Sequence, residues 1–443
     1  MNISELIYEI VSFWKNVALN ANVIPREVNL PLEPKNIIVL TGGRRVGKTY
    51  ILYDLIRKLL ANGVDENKIF YINFEDERVI PQTEFLTKLI PTLIEKFVPN
   101  GRLYLLLDEI HRIPRWESWV HRQYERGHFI YISGSTTQLQ PHNMGVALRG
   151  RSTTYVVYPL SFKEFLNFKK ADLKNLPVEE KRGVLKGYLN EYLTYGGYPE
   201  ITLLQKPVEK ISRLQEYFRA TFYRDIIEAN RIENEALMEV ILKILMNSIY
   251  FGSTKLYNTL KSIGISTSKS TIMTYKRAIE SSYLMFQLEL FSYKIKDRLR
   301  YPKKIYFLDH GMRRAISASY SNSQTKALEN AIFIALQRNI NPVLEKIYYY
   351  KTAGNYEVDF VIVENTKPKK LIQVTYTHEE KVLKREERAL LKAMKEFQMR
   401  EGYIVTNTDY EHKKEKNEKI IRYIPTWKFL LKTKNYLQHP TPK

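Results

Sequence analysis

The sequence predicts an α/β protein whose leading domain is a three-layer α/β/α sandwich, followed by helical and smaller α/β parts. Three observations carry this reading. Five apolar runs, Asn36–Leu40, Ile69–Phe74, Leu103–Leu107, Phe129–Ser133 and Thr154–Tyr158, are separated by helix-length stretches. The runs are solidly apolar rather than alternating, as parallel strands buried on both faces are. The first run passes through a glycine pair into the helical stretch that starts at Tyr50, a strand–loop–helix unit.

The chain has 443 residues, too many for one hydrophobic core. Its pattern divides it into an N-terminal helix and lead-in (1–33), the α/β core (34–165), a helical lid (166–233), a winged-helix unit (234–318) and a small C-terminal α/β domain (319–443). The lid is read from Phe162–Phe168, Lys186–Gly196 and Arg213–Ile227, broken once at Gly196-Gly197-Tyr198-Pro199. The winged helix is read from three helical runs, Leu237–Ser248, Ser253–Ile263 and Lys269–Leu284, then two strand-like runs, Met285–Phe291 and Lys304–Asp309, flanking a basic wing. No apolar run reaches the ~18 residues of a membrane helix, so no membrane partner is expected. The N-terminal stretch carries acids and no small-residue cleavage site, reads as a packing helix, and points to a cytoplasmic protein. The absence of cysteine excludes disulfides and thiolate metal sites.

Gly42-Gly43-Arg44-Arg45-Val46-Gly47-Lys48-Thr49 fits the phosphate-binding loop GxxxxGK[ST] in full, and Tyr50 follows it into the helix. Backbone N–H groups of such a loop curl around phosphate oxygens at a helix N-terminus. Lys48 is expected on the β- and γ-phosphates of ATP and the Thr49 hydroxyl on Mg²⁺. The third apolar run ends in Asp108-Glu109. Acids at the carboxyl end of a parallel strand face the ligand crevice, so Asp108 is the expected Mg²⁺ partner and Glu109 the base for water. Ser135, after the fourth run, is the candidate γ-phosphate sensor. Arg151, with Arg149 second, is the candidate arginine that a neighbouring copy would meet. Pro25 and Arg26 are candidates to border the adenine.

Taken together, TGGRRVGKTY, LLLDEIHRIPRWESWV, YISGSTTQL, LRGR and YPLSFKEFL, with GGYPE and YRDII in the lid, resemble the archaeal and bacterial AAA-type ATPases that carry a C-terminal domain of unknown function. The likeness spans nearly the whole chain. It implies an ATPase of the extended AAA clade, often with DNA-linked or signalling roles, and names no substrate.

The formal net charge of +21 favours a polyanionic partner, nucleic acid first. In the winged-helix unit the third helix is the expected recognition helix, with Ile272, Ala278 and Ile279 inward and Lys269, Thr271, Lys276 and Arg277 available to DNA. The wing adds Lys294, Lys296, Arg298 and Arg300, and runs on through Lys303 and Lys304. In the last domain Glu329, Asp359 and Gln373 resemble the PD-(D/E)XK nuclease layout of restriction endonucleases, but Thr375 stands where the lysine belongs. Cleavage without that cation is not expected. The reading is therefore an ATP-hydrolysing, DNA-binding AAA-type ATPase, as a homo-oligomer that could be a hexameric ring. Its rivals are a nucleotide-gated scaffold with a protein partner and an ATP-regulated nuclease.

Overall fold

The computed structural model describes residues 2–134, 147–316, 323–377 and 379–438. The chain divides into two compact units, 1–158 and 159–443.

In the first unit the N-terminal segment is helix α1 (Ile3–Asn20). Asn2 caps it and exchanges bonds with Glu5, which satisfies two otherwise orphan N–H groups. Strand β1 (Ile37–Thr41) leads through the glycine loop to α2 (Lys48–Ala61). Then follow β2 (Ile69–Asn73), α3 (Thr83–Phe97), β3 (Tyr104–Asp108), α4 (Trp116–Glu125), β4 (Phe129–Ser133) and β5 (Ser152–Val156). The sheet order is β2-β3-β4-β1-β5 and every pairing is parallel. Strands β1 to β4 are buried almost throughout, as solid apolar runs require. The edge strand β5 differs, because Thr153 is exposed and its other residues are only partly covered, and it is not the apolar run expected of it. Ile7, Ile10 and Val11 of α1 join the core of β1–β4, α3 and α4.

The second unit opens with helices α5 (Phe162–Phe168), α6 (Val178–Tyr195), α7 (Pro199–Leu203) and α8 (Pro207–Ala220). A π-helical segment, Thr221–Glu228, carries the YRDII residues. Then come α9 (Glu235–Asn247), β6 (Tyr250–Phe251), α10 (Ser253–Ser262), α11 (Lys269–Ser281), β7 (Met285–Leu288), α12 (Ile295–Arg300) and β8 (Lys303–Phe307). These strands form an antiparallel sheet, β6-β8-β7. Where an open basic hairpin was expected, the connection between β7 and β8 contains the short helix α12. After α13 (His310–Ile316) and α14 (Ser323–Asn339) comes a sheet of order β13-β14-β12-β11-β10-β9. It is built from β9 (Glu345–Lys351), β10 (Glu357–Glu364), β11 (Lys367–Thr375), α15 (Glu380–Glu396), β12 (Glu401–Thr406), β13 (His412–Lys416) and β14 (Lys419–Pro425). Helix α16 (Thr426–Gln438) ends the described chain.

The glycine pair Gly196-Gly197 is explained by one buried acid. Asp309 accepts the Gly197 N–H at 2.7 Å and the Gly311 N–H at 2.8 Å. Gly196 has φ of 80°, and a β-carbon there would collide with the Asp309 carboxylate. The expected outcome for Gly196→Ala is a loss of at least about 2 kcal/mol of stability, from the left-handed backbone and the overpacking together. Gly187→Ala, on an open face of α6, should instead stabilise by about 0.5–1 kcal/mol through helix propensity. Urea unfolding of both variants reads the contrast.

Candidate functional site

The carboxyl ends of β1, β3 and β4 converge because the sheet is parallel and β4 lies between β3 and β1. The loop after β1 turns on Gly42 (φ 142°) and Gly47 (φ 95°). A side chain at Gly42 would run into the Val157 carbonyl, so only glycine lets the loop pass β5. Gly47 is the N-cap of α2, which aims the helix N-terminus at the loop. Lys48 is buried, and its ammonium donates to the Gly42 and Gly43 carbonyls at 3.0 and 2.8 Å.

Asp108 is the centre of the arrangement. Its Oδ2 accepts from Thr49 Oγ1 at 2.7 Å and from Tyr71 Oη at 2.9 Å, while Oδ1 accepts from the Ser133 hydroxyl. Burial and the Asp108 charge hold the Tyr71 phenol well above its usual pKa, so it stays a donor. Glu109 is next, in a left-handed conformation (φ 59°). Burial, then the Asp108 charge, pushes its carboxyl up to about 8, and Lys48 pulls the other way. His111 Nδ1 lies 3.4 Å from Glu109 Oε2. Burial and the Arg112 charge bring that imidazole down to about 4, so it is neutral. Among the described residues no cluster of three or more His, Asp or Glu forms a metal cage. The Thr49–Asp108 oxygen pair fits Mg²⁺ all the same, because that ion keeps waters and phosphate oxygens as its other ligands.

Sequence reasoning missed Ser133 and Tyr71. The signal for Ser133 was its place as the last residue of β4, in register with Asp108. Ser135 lies outside the described residues.

A family model described as "AAA domain" matches residues 34–166, and two described as domains of unknown function (DUF8612 and DUF4143) match 186–323 and 324–429. An uncharacterized protein of Methanocaldococcus jannaschii is 35% identical over 434 residues, 96% of this chain and 95% of that one. The chain belongs to this family of AAA-type P-loop ATPases. An uncharacterized protein of Haemophilus influenzae is 28% identical over 310 residues, covering 68% of this chain and 74% of its own. A solved Walker-type ATPase of Pyrococcus abyssi matches with a TM-score of 0.45 at 13% identity, over 68% of this chain and 99% of that chain.

Other expected residues fall differently. Arg26, expected near adenine with Pro25, is buried and donates to the Val46 and Tyr158 carbonyls at 2.8 and 2.9 Å. It braces the loop against the end of β5. Arg151 forms an ion pair with Glu125 and lies 2.6 Å from His121 Nε2, both on α4. Arg149 is exposed.

In the second unit Ile272, Tyr275, Ala278 and Ile279 of α11 are buried, and Lys269 and Arg277 are exposed. Thr271 donates its N–H to the Ser268 cap. Lys276 is turned inward, paired with Glu280 at 3.2 Å and 5.7 Å from the Phe251 ring centre. The larger correction is Lys304, read as part of the basic wing. Its side chain is 2% exposed, with the ammonium 2.8 Å from Asp359, 2.9 Å from Glu357 and 3.0 Å from Glu329. The physical reason is that an ammonium leaves water only where carboxylates replace its hydration. Burial pushes the Asp359 carboxyl up to about 7 against the pull of Lys304. Asp359 Oδ2 also accepts the Val374 N–H at 2.9 Å, and Gln373 binds Glu386. The three nuclease-like residues are thus neighbours, with a lysine from β8 lodged among the acids.

Lys304→Ala is expected to cost about 3–5 kcal/mol in urea unfolding, because it strands buried carboxylates. Those carboxyls would have folded pKa values raised above the unfolded ones. The folded state then binds more protons, so its stability falls as pH rises. The deficit against wild type should therefore be larger at pH 8 than at pH 5.

Proposed function

We propose that the chain is a Mg²⁺-dependent ATPase that binds DNA and couples hydrolysis to rearranging it. The observation that carries the ATPase reading is Asp108, which is bonded at once to the α2 residue Thr49 and to Ser133 at the end of the adjacent strand. In this reading Gly42–Lys48 and the α2 N-terminus hold the triphosphate. Lys48 moves its ammonium from the loop carbonyls to the β- and γ-phosphate oxygens. Thr49 and Asp108 would hold Mg²⁺, which would supply charge neutralisation for the phosphoryl group. Glu109, buried beside Asp108 and within the pull of Lys48, orients water and takes its proton. His111, neutral, lies beside it. Ser135 keeps the proposed sensing role, and Ser133, which donates to Asp108, is a second candidate beside it. Arg149 is the better placed of the two arginines to reach another copy, since Arg151 is engaged with α4.

The DNA reading rests on the net charge of +21 and on the order helix, strand, two helices, then a sheet β6-β8-β7, which is the plan of a winged helix. Lys269 and Arg277 on α11 and Lys294, Lys296 and Arg300 at α12 are exposed. Arg298 is partly spent, donating to the Ser292 carbonyl at 2.5 Å. The nuclease alternative has little support, because Lys304 and the Val374 N–H already occupy the Asp359 carboxylate. Among the described residues no helix is long and apolar enough to cross a membrane.

Two outcomes are expected. Lys48→Ala abolishes ATP turnover and weakens ATP binding, whereas Glu109→Gln keeps ATP bound and loses about 10²–10⁴-fold in turnover; normal turnover in Glu109→Gln would remove it as the base. DNA stimulates wild-type turnover, and its affinity falls steeply with salt, by several counterions on a log–log plot. No response to single strand, duplex or four-way junction would instead favour a protein-partnered switch.

A further inference from the structure

The tip that joins β7 to β8 is apolar where a wing that only grips phosphates would be polar. Tyr293, Ile295 and Leu299 are 68%, 70% and 73% exposed, and Tyr301 is 43% exposed. Ile295 and Leu299 stand one turn apart on α12, so they share a face. Isolated exposed apolar residues are ordinary, but four within nine residues, two of them on one helix face, mark a candidate contact surface. The same segment carries Lys294, Lys296 and Arg300, all exposed. Its one acid, Asp297, is engaged by the Ser292 hydroxyl at 3.0 Å.

The tip is also anchored to the sheet that follows. The Tyr293 ring packs edge-on against Phe291, with centroids 5.1 Å apart, and Phe291 belongs to the core of β9–β12 and α15. Arg298 reaches back to the Ser292 carbonyl and lies 5.4 Å from the Tyr348 ring centre. The outward side chains therefore ride on a fixed base.

We propose that this tip is a strand-opening wedge: it inserts Ile295 and Leu299 into the base stack at a single-strand/duplex junction of DNA. The proposal rests on the DNA reading above and adds a separate activity to it. The cations fit flanking phosphates, and side chains of this type unstack base steps when pushed between them. A junction is favoured over continuous duplex because bases at the end of a helix cost least to unstack. A second copy of the chain suits the patch poorly, since a two-fold contact would bring the lysines and arginine against their own copies. The two exposed tyrosines add rings on which a freed base can stack.

The test uses the full chain and a forked DNA duplex with 2-aminopurine in the first pair beside the fork. A control duplex carries the probe about one helical turn, roughly 10 base pairs, inside. Wild type is expected to raise fluorescence at the fork and not at the interior position. Ile295→Ser/Leu299→Ser should bind within about threefold of wild type with the same salt slope, because the phosphate contacts remain, and should lose the fluorescence rise. Lys294→Ala/Lys296→Ala should lower affinity and flatten the salt slope. Binding of the fork with no rise in wild type overturns the wedge and leaves the DNA reading intact. A rise that survives the double serine variant also overturns it. Failure of wild type to bind any DNA sinks both readings, and binding to phosphatidylserine vesicles in that case reassigns the patch to an acidic membrane surface.

Discussion

The arrangement of the first unit depends on where one carboxylate is held. Asp108 ends a fully buried strand, and its two oxygens are gripped from three other elements: Thr49 on α2, Tyr71 on β2 and Ser133 on β4. A buried carboxylate without such donors would be costly. With them, its position reports directly on the start of α2 and hence on the glycine loop. Glu109 follows in the same network, its N–H bonded to the Ser133 carbonyl at 2.8 Å. Nucleotide-site geometry and sheet register are one structure here.

The second unit depends in a similar way on a charge of the other sign. The Lys304 ammonium sits on the central strand of the small β6-β8-β7 sheet and is neutralised by acids of α14 and β10. Around it Asn330 of α14 exchanges both of its amide bonds with the Phe307 backbone at 2.8 Å. Phe291, just after β7, enters the core of the following sheet. The winged-helix-like part and the C-terminal sheet are thus tied by an ion cluster, an amide pair and shared apolar packing.

How much was legible in advance follows from what each residue's signal depends on. The glycine loop, β1 to β4 and Asp108-Glu109 are local patterns: solid apolar runs, glycines at fixed spacing, acids at a strand end. The covered face of α11 is equally local, because helical periodicity places Ile272, Ala278 and Ile279 together. Strand β14 carries no such pattern, since Lys419–Pro425 mixes charge with apolar residues and pairs with the charged strand His412–Lys416. Arg26 and Arg151 carry no mark of their partners, which lie on other elements. Lys304 was misread for the same reason: in sequence it is one more cation in a basic stretch.

The sequence by itself determined the α/β character of the chain, the phosphate-loop motif and the acid pair that follows it, because these rest on periodicity and on the chemistry of adjacent residues. Tertiary structure alone decided which serine touches Asp108, which arginines are committed to the chain's own carbonyls and acids, and that a wing lysine lies buried among three carboxylates. Those outcomes depend on strand order and register, which bring together residues 20 to 132 positions apart, and no local pattern encodes such a meeting.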